Sequence, residues 1–309
     1  MTDTAATNVA STKPWMTSLH GGHSSDYCDH AQSTLREMLQ AAVDAGYHSF
    51  GVSEHAPRGE ERFLYPNELE MGWTLVKTIQ DFETYCADLP VIASEFAGKL
   101  TVVRGFEAEV IPSVDYVSRM KGYRARTLPD GTPLFEFIVG SVHYVNEIQI
   151  DGEPEEWQRS AAFAGGAENL AVAYYETITR MVNALQPDVV GHLDLVKRNV
   201  VLAGVDPELL LTDRVKSAAR ETIQEVKAQN GILDLNTAGW RKGLGEPYPA
   251  PWIMEIANEY GVPFCFGDDS HNTSHVGAGI TEARAYLLEN GVTTITGVGP
   301  GGVRTIYAL

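Results

Sequence analysis

Apolar positions along the chain follow two alternating rhythms. Short β-rich runs occur at WMTSL (15–19), HSFGVS (48–53), KLTVVRG (99–105), FEFIVG (135–140), DVVG (188–191), ILDLN (232–236) and VPFCFG (262–267). Between them lie stretches with helical spacing. Leu35, Met38, Leu39, Ala42 and Val43 form one apolar stripe, and Gly46 follows as a stop signal. Ala171, Tyr174, Tyr175, Ile178, Met181, Val182 and Leu185 form a longer stripe that ends before Pro187. Asn67 with Glu70 resembles a helix N-terminal capping box. Strands alternating with helices predict an α/β fold with parallel strands and crossover helices. Seven such strands fit a closed or distorted barrel, with an open doubly wound sheet as the alternative.

Residues 112–134 and 146–167 break the rhythm, being rich in Pro, Gly and charge, and are expected to be long loops over one end of the barrel. Residues 1–15 are small and polar and are expected to form a disordered tail, leaving residues 16–309 as a single barrel domain. The glycine-rich GVGPGG (297–302) lacks the Lys-Ser/Thr of a phosphate loop and is expected to be a plain loop before the closing segment VRTIYAL. With 309 residues the chain is long enough for one large core.

Composition narrows the function classes. No run of about 18 apolar residues predicts a membrane span. The tail lacks the apolar stretch of a secretory signal and the arginines of a transit peptide. Three cysteines without CxxC pairing suggest no disulfide framework, so a cytoplasmic location is expected. A formal net charge of −18 disfavours nucleic-acid backbones and anionic membranes as partners. Oligomeric state is left open.

The candidate chemistry sits at strand ends. His20 and His23 follow the first run (LHGGHS), with His30 seven residues later. His55 follows the second (SEHAP), Glu107 and Glu109 the third (RGFEAEV), and His143 the fourth (GSVHYV). His192 follows the fifth (VGHLDL), and Asp268, Asp269 and His271 the seventh (FGDDSHN). Active sites of such barrels form at the C-terminal ends of the strands, so these side chains are expected to converge on one mouth. Imidazole and carboxylate together are ligands for first-row metals, and the absence of a Cys-rich set favours a catalytic over a structural site. His48 precedes its strand and reads as structural, and His275 as the start of a helix. Ser141 and Ser270 adjoin the candidate ligands without an evident base partner, so a covalent nucleophile is not expected.

The ordered motifs, with SVHYV, GHLDLVKR, NTAGWRKGLGEPYP and SEHAPR followed by LYP, resemble the PHP (polymerase and histidinol phosphatase) family, histidinol-phosphatase branch, over roughly residues 16–290. The resemblance implies a distorted (β/α)7 TIM-like barrel and a site for two to three divalent metal ions, Zn, Mn or Fe. It implies that His20, His23, Glu107 and Asp269 hold one metal, that a bridging Glu107 with His143 and His192 holds the second, and that His30, His55 and His271 hold the third. Asp269 and His271 would also act in catalysis. The family usually begins HxH, whereas this chain has His20-Gly21-Gly22-His23. Both imidazoles reach one side only if the backbone bulges, which the two glycines permit by tolerating positive φ. Cys28 lies between His23 and His30, and although thiolate is a good zinc ligand the resemblance offers it no role.

The implied activity is hydrolysis of a phosphate monoester, L-histidinol phosphate to L-histidinol and phosphate, by a metal-bridging hydroxide attacking phosphorus in line. Three dications less two carboxylates leave a local charge of about +4. Salt screens distant charge beyond about 8–10 Å, so an acidic protein can still attract phosphate. Arg241 is the first candidate for the phosphate, followed by Arg198, Lys197 and Arg58. Glu109, Asp26 or Asp268 could pair with the substrate amine. Another small phosphorylated metabolite, a sugar phosphate or nucleotide, is the alternative substrate. An amidohydrolase is disfavoured because the bridging position holds Glu107 rather than lysine. A DNA-proofreading barrel would carry attached polymerase segments or degenerate ligands, and neither is present.

Overall fold

The computed structural model describes residues 13–109 and 115–309. Strands β1 (Thr17–Gly22), β2 (Ser49–Val52), β3 (Thr101–Glu109), β4 (Phe137–Ser141), β7 (Val189–Val190), β8 (Ile232–Asn236) and β9 (Phe264–Ser270) close into a parallel barrel, β9 pairing back onto β1. The short hairpin β5 (Tyr144–Val145) and β6 (Ile148–Gln149) lies outside it, as does the antiparallel pair β10 (Thr294–Val298) and β11 (Arg304–Ala308). All seven expected strands are present, and the barrel rather than the open sheet is the architecture. Helices α1 (Leu35–Asp44), α2 (Pro66–Glu70), α3 (Leu75–Glu95), α4 (Tyr116–Arg124), α5 (Pro154–Ala164), α6 (Ala167–Leu185), α7 (Asp213–Ala228), α8 (Ala238–Arg241), α9 (Pro251–Tyr260) and α10 (Ile280–Glu289) follow in chain order.

Local chemistry sets these elements. Thr34 caps α1 reciprocally with Glu37, whose carboxylate accepts the Thr34 N–H at 2.8 Å, and Leu35, Met38, Leu39 and Ala42 are buried beneath it. All seven residues of the longer stripe are buried on α6. The cap of α2 differs from expectation. Glu68, not Glu70, reaches back to the Tyr65 N–H at 2.6 Å, because Pro66 takes the first helical position and shifts the start. The two expected long loops contain α4 and the β6–α5 unit, whose apolar anchors Tyr116, Met120 and Trp157 are buried despite polar surroundings. The tail expected over residues 1–15 lies outside the described residues as far as residue 12, whereas Trp15 is buried in the main core.

Two apolar layers support the barrel. Leu19, Val103, Phe137, Val139, Val189, Ile232, Cys265 and Val298 form a compact cluster drawn from six barrel strands and β10. A larger cluster fills the space between sheet and helices. The glycine-rich 297–302 is the end and turn of the β10–β11 hairpin rather than a free loop. Its Gly301 N–H donates to Glu136 at 2.9 Å, just before β4, and Val298 packs into the inner cluster. The hairpin therefore lies by the N-terminal ends of the strands and leaves the opposite mouth for chemistry.

Strand β1 bulges at the expected place. His20 pairs with Gly267 but Gly22 with Ser270, and Ser18 pairs with Phe50 but Gly22 with Val52. The reason for glycine differs from expectation, because neither Gly21 nor Gly22 adopts positive φ. A Cβ on Gly21 would instead lie 2.4 Å from the Gly51 carbonyl oxygen and 2.6 Å from the Phe50 ring. Gly21→Ala should therefore destabilise the fold by about 1–3 kcal/mol, the usual cost of overpacking, read as a lower urea midpoint. An unchanged midpoint would show that β1 yields freely at the bulge.

Candidate active site

The centre is built around Glu107, at the C-terminal end of β3 and only 1% exposed. Its Oε2 faces His20 Nε2 and His23 Nε2, each at 3.5 Å, and His55 Nδ1 at 3.2 Å. Its Oε1 faces His143 Nε2 at 3.4 Å and His192 Nε2 at 3.6 Å. One carboxylate thus stands between two groups of imidazoles. Asp269 Oδ1 lies 3.4 Å from His23 Nε2 and 3.9 Å from His20 Nε2. His23 stacks between His55 and His271, with ring centroids 3.9 and 4.5 Å away, and His30 stacks on His271 at 4.7 Å. All nine residues singled out from the sequence converge.

Backbone geometry delivers two of them at a cost. His192 and Asp269 adopt positive φ, 25° and 47°, a region uncommon for any residue but glycine, though Asn, Asp and His enter it more often than the rest. Such strain is of order 1–3 kcal/mol and persists where the surroundings enforce it. The His192 N–H is held by Asp234 Oδ1 at 2.6 Å, while Arg241 donates to the carbonyls of Asp268 and Asp269.

A set of supporting acids orients the rings. Asp234 Oδ2 lies 2.7 Å from His20 Nδ1, and Asp151 Oδ2 lies 2.8 Å from His143 Nδ1. Glu109 contacts His55 Nδ1, and His271 Nδ1 donates to the Asp269 carbonyl at 3.0 Å. These contacts leave Nε2 of His20, His143, His55 and His271 as the ring atoms available to a ligand. Asp234 and Asp151 were not expected from the sequence. An acid inside the apolar strand ILDLN was the one available signal for Asp234.

The donor set fits divalent cations. His23 is fully buried, and neither ring nitrogen has a hydrogen-bond partner. His20 Nε2, His55 Nε2 and His192 Nδ1 are likewise buried and unpaired. Each such atom costs about 1–3 kcal/mol unless something accepts its lone pair or proton. Donor atoms within 4.8 Å of one another form four groups: Cys28, His30, His55 and His271; His20, His23 and Asp269; His20, Glu107 and His192; His23, His55 and Glu107.

Protonation is finely opposed. Burial, then the neighbouring His55, lowers His23 to about 4, and burial with His23 close by pushes His271 well below the ordinary imidazole value. Both are neutral at pH 7 with lone pairs free. Burial also disfavours charged His55, but Glu109 and Glu107 overcome this and raise it to about 10. Burial is similarly overridden at His20, by Glu107 and Asp234, and at His143, by Asp151. Glu107 in turn is held well below the carboxylate range, the surrounding imidazoles outweighing its own burial.

The centre opens into a cavity of about 830 Å³ whose lining includes Arg198, Arg241, Lys242, Tyr248, Glu153 and Glu156. Two expected phosphate contacts do not line it. Arg58 is buried, bound to Glu68 at 2.7 Å and laid over the Tyr65 ring, because local acids capture it. Lys197 is turned to Asp194 at 2.8 Å and Glu246 at 2.7 Å. Lys242, next to Arg241, lines the cavity in their place. The three carboxylates considered for the amine are engaged elsewhere: Glu109 by Tyr65 and His55, Asp268 by Tyr47 and the Gly277 N–H, and Asp26 by the Leu35 N–H. His48 binds the Pro14 carbonyl, as its place before β2 suggested. His275 lines the cavity and accepts the His271 N–H at 3.4 Å, so it supports that turn.

The PHP domain model matches residues 20–238, and the chain belongs to that family. A Schizosaccharomyces pombe protein named "Probable histidinol-phosphatase" is 31% identical, over 92% of this chain and 90% of its own length. The histidinol-phosphatase of Saccharomyces cerevisiae is 25% identical, over 87% of this chain and 88% of its own. The crystal structure of histidinol phosphate phosphatase from Lactococcus lactis, complexed with zinc, L-histidinol and phosphate, shares the fold with a TM-score of 0.67 at 16% identity, covering 94% of this chain and 98% of that one.

Two outcomes follow from this geometry. Asp234→Asn removes the charge that orients His20, so metal affinity should fall about 10- to 100-fold in chelator competition with the fold intact. An unchanged affinity would mean that packing alone orients the ring. Because protons and cations compete for the same nitrogens, affinity should rise with pH, by about tenfold per unit for each proton released, between pH 6 and 8. Equilibrium dialysis showing a flat profile would contradict that competition.

Proposed function

We propose that this chain hydrolyses L-histidinol phosphate to L-histidinol and phosphate, using two to three divalent cations, Zn, Mn or Fe, from a cytoplasmic location. The observation that carries the reading is Glu107 standing between two sets of imidazoles at the base of a cavity lined by Arg198 and Arg241. The relatives named as histidinol-phosphatases support the substrate, as does the Lactococcus lactis enzyme bound to zinc, L-histidinol and phosphate. Three buried free cysteines are compatible with a reducing compartment, and among the described residues no helix is long and apolar enough to cross a membrane.

In this reading His20, His23, Glu107 and Asp269 hold one cation, Glu107, His143 and His192 a second, and His30, His55 and His271 a third. Such cations, when bound, supply an acidified water and neutralise phosphoryl charge. The remaining work belongs to the chain. Asp234 and Asp151 keep His20 and His143 aimed inwards. Arg198 touches Asp151 only weakly, at 3.4 Å, so its guanidinium is available for bidentate contact with phosphate. Arg241 lines the cavity while clamping the strand end that bears Asp269. Glu156, at the cavity wall with its Oε2 unpaired, provides the negative charge for the substrate's ammonium group.

The test is phosphate release from histidinol phosphate beside generic phosphomonoesters, after loading with each metal. kcat/KM for histidinol phosphate should be higher by about 100-fold or more, the discrimination that polar contacts provide. Arg198→Ala should lower kcat/KM about 10- to 100-fold on every ester without altering metal content. Glu156→Gln should raise KM for histidinol phosphate alone. Equal rates on all esters would overturn the substrate assignment.

A further inference from the structure

We infer that the thiolate of Cys28 is a fourth ligand of the third cation, beside His30, His55 and His271, and makes that position zinc-selective. The inference rests on the metal-centre reading above and adds a residue for which the motif order offers no role. Cys28 is buried, and its donor atom lies with those of the three histidines inside one 4.8 Å group. Its Sγ lies 3.3 Å from His30 Nδ1 and 3.7 Å from His30 Nε2. His30 Nδ1 also faces Asp29 Oδ1 at 2.9 Å, so an Nδ1–H donated there leaves Nε2 as the ligand atom. His55 Nε2 is fully buried and unpaired beside them.

The loop carrying Cys28 is pinned to both neighbouring strand ends. Ser24 gives its N–H and hydroxyl to Glu54, at 2.6 and 2.7 Å, and Glu54 immediately precedes His55. Gln32 N–H donates to the His271 carbonyl at 2.7 Å, and Ser25 N–H to Ser33 at 2.9 Å, closing the loop on itself. Within it the Cys28 N–H bonds to the Ser24 carbonyl at 2.9 Å. The sulfur is therefore held near His55 and His271 by backbone contacts rather than by chance packing.

Three imidazoles, each with its Nε2 lone pair freed for the metal, and one thiolate make a complete tetrahedral zinc set. On binding, the Cys28 S–H bond and the Nε2–H bond of His55 break, both protons pass to solvent, and the freed sulfur and nitrogen lone pairs form the metal bonds. A soft thiolate favours zinc over manganese, whereas the carboxylate-rich positions around Glu107 accept either.

The zinc-loaded wild-type protein tests this without mutation. X-ray absorption at the zinc edge should show a sulfur scatterer at about 2.3 Å, averaging one sulfur per three zincs. Cobalt loading should give a near-ultraviolet thiolate-to-cobalt charge-transfer band that is lost in Cys28→Ser and retained in Cys86→Ser. Cys28→Ser should also weaken the third zinc by at least the 10- to 100-fold that loss of a supporting contact costs, and erase its preference over manganese. Three metals per chain without a sulfur signal, or a charge-transfer band unchanged in Cys28→Ser, would overturn the assignment while leaving the metal centre standing. Failure to bind metal at all would remove both.

Discussion

A carboxylate with almost no solvent exposure, Glu107, sits among five imidazoles at the mouth of the barrel, and the rest of the molecule answers to that fact. Burying an unpaired charge costs several kcal/mol, so Glu107 needs positive partners on both sides. His20, His55 and His143 serve that need as imidazolium, and cations serve it better, because they also take up the orphaned nitrogens of His20, His23 and His55. Asp234 and Asp151 then balance the next layer outward, each fixing a ring by its other nitrogen, while Glu109 meets His55 at the same Nδ1 that faces Glu107. Alternating charge, from acid to imidazole to acid, is what lets so many ionisable groups share a buried space.

A parallel barrel is well suited to hold such an array. Its strand ends form a ring, and hydrogen bonds with neighbouring strands hold each end in register. The bulge in β1 lets two histidines three residues apart face the same centre, and it is possible because Gly21 lies against the Gly51 carbonyl with no room for a side chain. Left-handed backbone at His192 and Asp269 turns two further side chains inwards. The strain is tolerated because Asp234 and Arg241 hold those segments from outside the centre.

Electrostatics reconcile an acidic protein with an anionic substrate. The formal charge of −18 is spread over the whole chain, whereas Arg198, Arg241 and Lys242 gather at one cavity beside the centre. Screening beyond about 8–10 Å leaves the local sign to decide binding. Because Glu70, Glu153, Glu156 and the carboxylates of the centre line the same cavity, cations bound near Glu107 would supply the excess of positive charge there.

By itself the sequence determined the α/β class and the histidines and acids that gather at the centre, whereas the pairing of β9 with β1 decided the closed barrel. Short β-rich runs alternating with helical stripes argue for parallel strands with crossovers, and His is scarce enough that its recurrence at strand ends is informative. Tertiary structure alone decided which groups support that centre, because the contacts join distant positions: His20 and Asp234 are 214 residues apart. It also decided which cations face the cavity. Arg58 and Lys197 carry the right charge, but Glu68 and Glu246, each at 2.7 Å, turn them away from the cavity. Cys28 likewise gained its neighbours only when the loop carrying it was tied to Glu54 and His271, since proximity between side chains is set by the path of the backbone and not by spacing along it.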